Sequence, residues 1–110
     1  MELTVTQENL TRALGAASRV ASTKTQLPIL GNILLKTDGH RLLIAATNLE
    51  IASAQHIGAK IINKGAITVP ARLITEFVAS LPKTTVTLKA IDNKLHLTAE
   101  GYSSVINGIV

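Results

Sequence analysis

The hydrophobic positions of the chain fall into two successive arrangements of the same kind. At the start, Leu3 and Val5 alternate with Glu2, Thr4 and Thr6, the period of a half-buried strand. Thr6 is placed to cap a helix. From Glu8 to about Ala21, Leu10, Ala13, Leu14, Ala17 and Ala21 recur at spacings of three and four and form one apolar face. Gly15 lies inside that helix at a cost of about 1 kcal/mol relative to alanine. A loop follows from Ser22 to Gln26. Pro28 then holds Leu27 out of the helical region, and the apolar run from Ile29 to Leu35 predicts a second strand over about 29–37. Gly31 within it points to a bulge or a close backbone approach. Asp38-Gly39 signals a hairpin turn, and Arg41 to Thr47 a third strand. After a bend at Asn48 a fourth strand covers about 49–57, with Leu49, Ile51 and Ile57 on one parity and Glu50 and His56 on the other. Residues 58–64 read as a connection.

The order then begins again. Ala66 to Val69 is a strand, and Pro70 is well placed near the first turn of a helix. Residues 71–81 put Ile74, Phe77, Val78 and Leu81 on one face, and Leu81-Pro82 ends that helix. Val86, Leu88 and Ala90 alternate inward, Asp92-Asn93 turns the chain, and Leu95, Leu97 and Ala99 alternate with Lys94, His96 and Thr98. Gly101 breaks the pattern, and Tyr102 to Val110 is a last strand. The order is βαβββ followed by βαβββ. This is a repeat of elements; identity between the halves is weak. It predicts one α+β domain in which antiparallel sheets are related by pseudo-symmetry and both helices lie on one side. The strand-like sequence at Val110 leads to the expectation that the chain is one piece of a longer protein.

Composition narrows the chemistry. Phe77 and Tyr102 are the only aromatic residues, so the core is aliphatic and a base-stacking platform is disfavoured. The absence of cysteine removes disulfides, zinc–thiolate sites and cysteine nucleophiles. No apolar run approaches the roughly 20 residues of a membrane span, and the first residues lack the features of a signal peptide; a cytoplasmic location is expected. The net charge of +4 favours anionic partners, but the cations are spread singly along the chain. His40, His56 and His96 share no ligand spacing, no carboxylates form a close pair, and nucleophile-elbow and phosphate-loop motifs are missing. No enzyme activity, cofactor or metal is expected. What remains is a set of basic residues associated with the helices: Arg12, Arg19, Lys24, Arg72 and Lys83. If the helices lie side by side, these charges share a surface suited to phosphates; the alternative is an ordinary solvated helix face.

Three motifs occur in order: Leu27-Pro28-Ile29-Leu30-Gly31-Asn32, Thr47-Asn48-Leu49-Glu50 and Val69-Pro70-Ala71-Arg72. Together they resemble the N-terminal domain of the bacterial DNA sliding clamp, the DNA polymerase III beta subunit, over essentially all 110 residues. The resemblance implies a DNA-clamp domain, the first of three in the subunit. Helices would line the hole of a ring and sheets would form its rim. Two subunits would close head to tail around duplex DNA, without base specificity, and tether the replicative polymerase. The polymerase and the clamp loader would bind through the domains this chain lacks. The resemblance implies DNA contacts at Lys24 and Arg12, with Arg72 belonging to the motif that opens the second helix; Arg19 and Lys83 rest on the face argument alone. The subunit interface is expected along the second helix and last strand, with Phe77, Tyr102 and Val105. Two departures stand out. Asn48 replaces a frequent Asp, and Tyr102-Ser103-Ser104-Val105-Ile106-Asn107 has none of the basic residues of well-studied clamps, leaving ring closure to apolar contacts of Phe77 and Val105. A rival reading is a stand-alone domain that self-associates by its sheet edges. Another is a small-molecule enzyme, which would need an apolar pocket with convergent polar groups.

Overall fold

The computed structural model describes residues 1–23, 31–47 and 52–109, with side chains described outside 18–23, 47, 52 and 53. Its elements are β1 (Glu2–Thr6), α1 (Gln7–Thr23), β2 (Asn32–Asp38), β3 (Arg41–Thr47), β4 (Ala52–Gly58), β5 (Lys60–Asn63), β6 (Ala66–Pro70), α2 (Ala71–Ala79), β7 (Thr85–Ile91), β8 (Lys94–Ala99) and β9 (Tyr102–Asn107). Thr6 caps α1 as expected: its Oγ1 accepts the Asn9 N–H at 3.3 Å, satisfying one of the donors that a helix start leaves without a partner. Thr6→Ala is expected to cost about 1 kcal/mol, read as a lower urea midpoint with unchanged slope. Pro70 stands at the start of α2, where its missing N–H costs nothing.

Two antiparallel sheets form, in the orders β5-β1-β7-β8-β9 and β4-β3-β2-β6. The first strand of each half is exchanged: β1 joins the strands that follow α2, and β6 joins those that follow α1. The repeat extends to individual hydrogen bonds. The first N–H of α1, on Gln7, donates to Thr84 O at 2.8 Å, and the first of α2, on Ala71, to Gly31 O at 2.7 Å. Thr37 N–H reaches Gly65 O at 3.0 Å, and Ala90 N–H reaches Met1 O at 2.8 Å. Buried positions correspond in the same way: Leu3 with Ile67, Leu35 with Leu88, Leu42 with Leu95, Ile44 with Leu97 and Ile57 with Ile106. The halves share a geometry in which each inward site needs only an aliphatic side chain of roughly the right size.

Residues 58–64, read as a connection, contain β5. Its pattern gave no clear alternation: Ile61 packs on the core while Ile62 is exposed. The free edge of β1 makes it a strand, pairing Leu3 with Ile61 and Thr4 with Lys60. After Ala59, whose N–H bonds His40 O, the chain thus passes from one sheet to the other. The second half repeats the move. The last strand stops at Asn107 rather than running on; Gly108 N–H bonds Asn93 O at 2.7 Å, and Ile109 N–H bonds Thr68 O of β6 at 2.7 Å. The two hairpin turns are built differently. Asp92 and Asn93 both have positive φ, as a type I′ turn requires. In the other, Asp38 pairs with Arg41, so Gly39 (φ 63°) and His40 are central and the glycine takes the first, left-handed position. Gly31 precedes β2, whose pairing runs without a register shift, so it marks a close approach to α2 and not a bulge. The loop and strand start predicted over residues 24–30, the start of the fourth strand at 48–51 and the strand end at Val110 lie outside the described residues.

Candidate nucleic-acid interface

Both helices bury one stripe. Leu10, Ala13, Leu14 and Ala17 of α1 and Ala71, Ile74 and Val78 of α2 are buried in one core with the inward residues of both sheets. Gln7, the one buried polar side chain among the described residues, locks the two helices together. Its Nε2 donates to Val78 O at 2.9 Å and to Thr11 Oγ1 at 3.3 Å. Val78 O belongs to the last turn of α2, where carbonyls lack helical partners; it also accepts the Leu81 N–H at 3.2 Å. The start of α1 therefore lies beside the end of α2.

The opposite stripe faces solvent. It carries Glu8 and Arg12 on α1, Arg72, Leu73 and Glu76 on α2, and Lys83 beyond α2. Arg12 Nη2 donates to Asn9 Oδ1 at 3.1 Å. Arg72 Nε donates to Glu76 Oε1 at 3.2 Å, one turn on. Lys83 Nζ lies 3.6 Å from Glu8 Oε1 and so bridges to the first turn of α1. Glu8 is well placed at the positive end of α1, whereas the first turn of α2 has Arg72 and no acidic residue. Exposed pairs of this kind contribute about 0–1 kcal/mol, so another anion can exchange for the carboxylate at small cost.

Of the five basic residues singled out from the sequence, Arg12, Arg72 and Lys83 are thus exposed on the helix layer. Lys83 is joined through Glu8 to the first turn of α1, one turn before Arg12, while Arg72 sits at the other end of α2. Arg19 belongs to α1 seven positions past Arg12, with its side chain outside the described set, and Lys24 lies outside the described residues. The acids that pair with these cations were missed by sequence reading. The spacing of Arg72 and Glu76 could have revealed one pair; that of Glu8 and Lys83 could not.

The expected interface residues are distributed less simply. β9 is the edge of its sheet, and Tyr102 and Val105 are 50% and 53% exposed. Ile106 is buried opposite Leu95, so Tyr102, Ser104 and Ile106 share the face toward the core and α2. Val105 sits opposite His96 on the outer face. Phe77 is half-buried on α2 against the core. The alternation of β9 thus puts Val105 on the outer face of the sheet and Phe77 behind the inner one. Leu73, 53% exposed one turn before Phe77, was passed over because it lies off the buried stripe.

Elsewhere His56 Nε2 meets Asp38 Oδ2 at 3.2 Å, with Arg41 Nη2 at 3.9 Å from the same oxygen, a cross-strand cluster invisible to linear spacing. Among the described residues no three metal-ligating side chains converge, and no helix is long and apolar enough to cross a membrane. A shallow, open depression of about 310 Å³ is lined by Thr4, Val5, Thr6, Gly58, Ala59, Lys60 and Thr85, without a carboxylate or histidine.

Comparison with known proteins agrees with this geometry. The family model described as DNA polymerase III beta subunit, N-terminal domain, matches residues 1–107. A beta sliding clamp of Caulobacter vibrioides is 39% identical over 82 residues, covering 74% of this chain and 22% of its own length. That of Synechocystis is 35% identical over 94 residues, covering 84% of this chain and 24% of its own. The chain thus spans about a quarter of the curated relatives it matches. Among solved structures, Caulobacter crescentus pol III beta superposes with a TM-score of 0.91 at 33% identity, covering all of this chain and 30% of the other. The DNA polymerase III subunit beta from Pseudomonas aeruginosa gives 0.90 at 28%, with the same coverage. By sequence along nearly its whole length and by the path of its backbone, the chain belongs to the family of DNA polymerase III beta subunit N-terminal domains.

Proposed function

We propose that this chain is the first of three domains of a sliding-clamp subunit, two copies of which close head to tail around duplex DNA in the cytoplasm. It works as a non-catalytic part of the replication machinery, needs no cofactor, and leaves the gripping of polymerase and clamp loader to the other domains. The observation that carries the reading is the exposed stripe of the helix layer, with Arg12, Arg72 and Lys83 on one side of a domain whose sheets lie behind it. Arg19 and Lys24 are counted with these cations on the sequence alone. Scattered cations on rigid helices attract phosphates without reading base edges, which suits a protein that must move along its ligand. The open edge of β9, with Tyr102 and Val105, and the adjoining face of α2, with Phe77 and Leu73, form the subunit contact. Apolar side chains and strand-edge hydrogen bonds supply its attraction, because residues 102–107 hold no cation.

The test is an amide NMR titration of the chain with short duplexes of unrelated sequence at low salt. Shifts confined to α1, α2 and the Lys83 segment, alike for every duplex, are expected. Shifts centred on the outer faces of the sheets, or found with only one sequence, would contradict the reading.

A further inference from the structure

We infer that Glu8 and Glu76 are built-in competitors of DNA phosphate, tuning the helix layer to a loose grip. The inference rests on the proposed DNA-facing role of that layer. Two of its three described cations are engaged by a carboxylate, Arg72 by Glu76 at 3.2 Å and Lys83 by Glu8 at 3.6 Å. Arg12 instead leans on the neutral side chain of Asn9. All four charged partners are well exposed, with 87% and 84% of the Arg72 and Lys83 side chains open to solvent. The pairs therefore do little for the fold. Their consequence falls on an incoming anion. A phosphate approaching Arg72 or Lys83 must displace a carboxylate that already occupies part of the cation's donor set, and it meets a like charge beside the cation.

The device also divides the labour among the cations. Arg12 offers phosphate a contact with no acid to displace among the described residues, while Arg72 and Lys83 exchange between carboxylate and phosphate at little net cost. A contact that exchanges cheaply is lost and remade cheaply as the backbone moves past. Salt dependence should carry the signature: each cation committed to phosphate adds about 0.9 to the slope of log affinity against log salt for duplex DNA, and a cation shared with a carboxylate adds only part of that.

The test is fluorescence anisotropy of a labelled duplex with this chain at several salt concentrations. It compares Glu8→Gln/Glu76→Gln with a control of equal net charge, Glu2→Gln/Glu100→Gln, whose sites lie in β1 and in the β8–β9 turn, and with Arg12→Glu. Glutamine keeps the shape and an acceptor for Arg72 Nε, so the surface should stay in place. The helix-layer double variant should bind about two- to tenfold tighter with a slope steeper by up to about 2, since each exposed pair competes with the energy of about a 1.5- to threefold change. The sheet control should change by less than about twofold. Equal tightening in both doubles would overturn the inference in favour of net charge alone. An unchanged helix-layer variant alongside a weakened Arg12→Glu would overturn it while leaving the DNA-facing reading intact. If neither Arg12→Glu nor the helix-layer double alters binding, the DNA-facing reading itself fails.

Discussion

Leu35→Ala and Leu88→Ala should each destabilise the domain by about 2–5 kcal/mol and agree with one another to within about 1 kcal/mol. Both leucines are fully buried, at the same place in their respective halves. Leu35 lies on β2 between Ile44 of β3 and Ile67 of β6. Leu88 lies on β7 between Leu97 of β8 and Leu3 of β1. Each truncation removes the same atoms from a similar aliphatic surround, so the transfer loss is shared and only the collapse of the cavity can differ. For a domain of this size each kcal/mol lowers Tm by roughly 4–8 °C, and total stability is only about 5–15 kcal/mol. Urea denaturation of the two variants, each compared with the parent, gives the pair of values. Values that differ by more than about 2 kcal/mol would mean that the two halves share a backbone path without sharing packing energetics.

The second large effect is on DNA. In the proposed full-length subunit, Arg12→Glu combined with Lys24→Glu should reduce DNA affinity on the order of 10–100-fold and lower the salt slope by about 1.8, from the loss of two proposed phosphate contacts. The two changes also place repulsive charges on the proposed DNA-facing surface. Arg12 is exposed and pairs only with a neutral amide among the described residues, so its reversal breaks no ion pair there and the Tm of the Arg12→Glu single variant should move by no more than a few degrees. Weakened retention with an unchanged melting curve is the expected pattern. Undiminished DNA retention would remove Arg12 and Lys24 from the channel assignment.

The sequence spoke most clearly where an element answers to its own residues. The α1 stripe, the Thr6 cap and the alternations of β7 and β8 depend on spacing and local chemistry, and the structure places them as read. What escaped depended on partners distant along the chain. β5 is a strand because β1 offers it an edge. β9 ends at Asn107 because Gly108 turns the backbone toward β6. The exchange of β1 and β6 between sheets left no mark on either strand's own pattern. The candidate site divides along the same line. The exposure of Arg12, Arg72 and Lys83 followed from their positions on or beside amphipathic helices. The pairing of Lys83 with Glu8, and the separation of Phe77 from Val105 by the thickness of a sheet, required the packed fold.

A ring that holds DNA by enclosure makes a claim that affinity alone cannot test, because a strong surface binder also stays on DNA. The decisive measurement loads the labelled full-length subunit onto a nicked circular plasmid with its clamp loader, then follows retention by gel filtration before and after a single cut opens the circle. Retention on the circle in moderate salt and release after linearisation are predicted, since a closed ring slides off a free end. Equal retention on circular and linear DNA would contradict the account and point to ordinary surface binding.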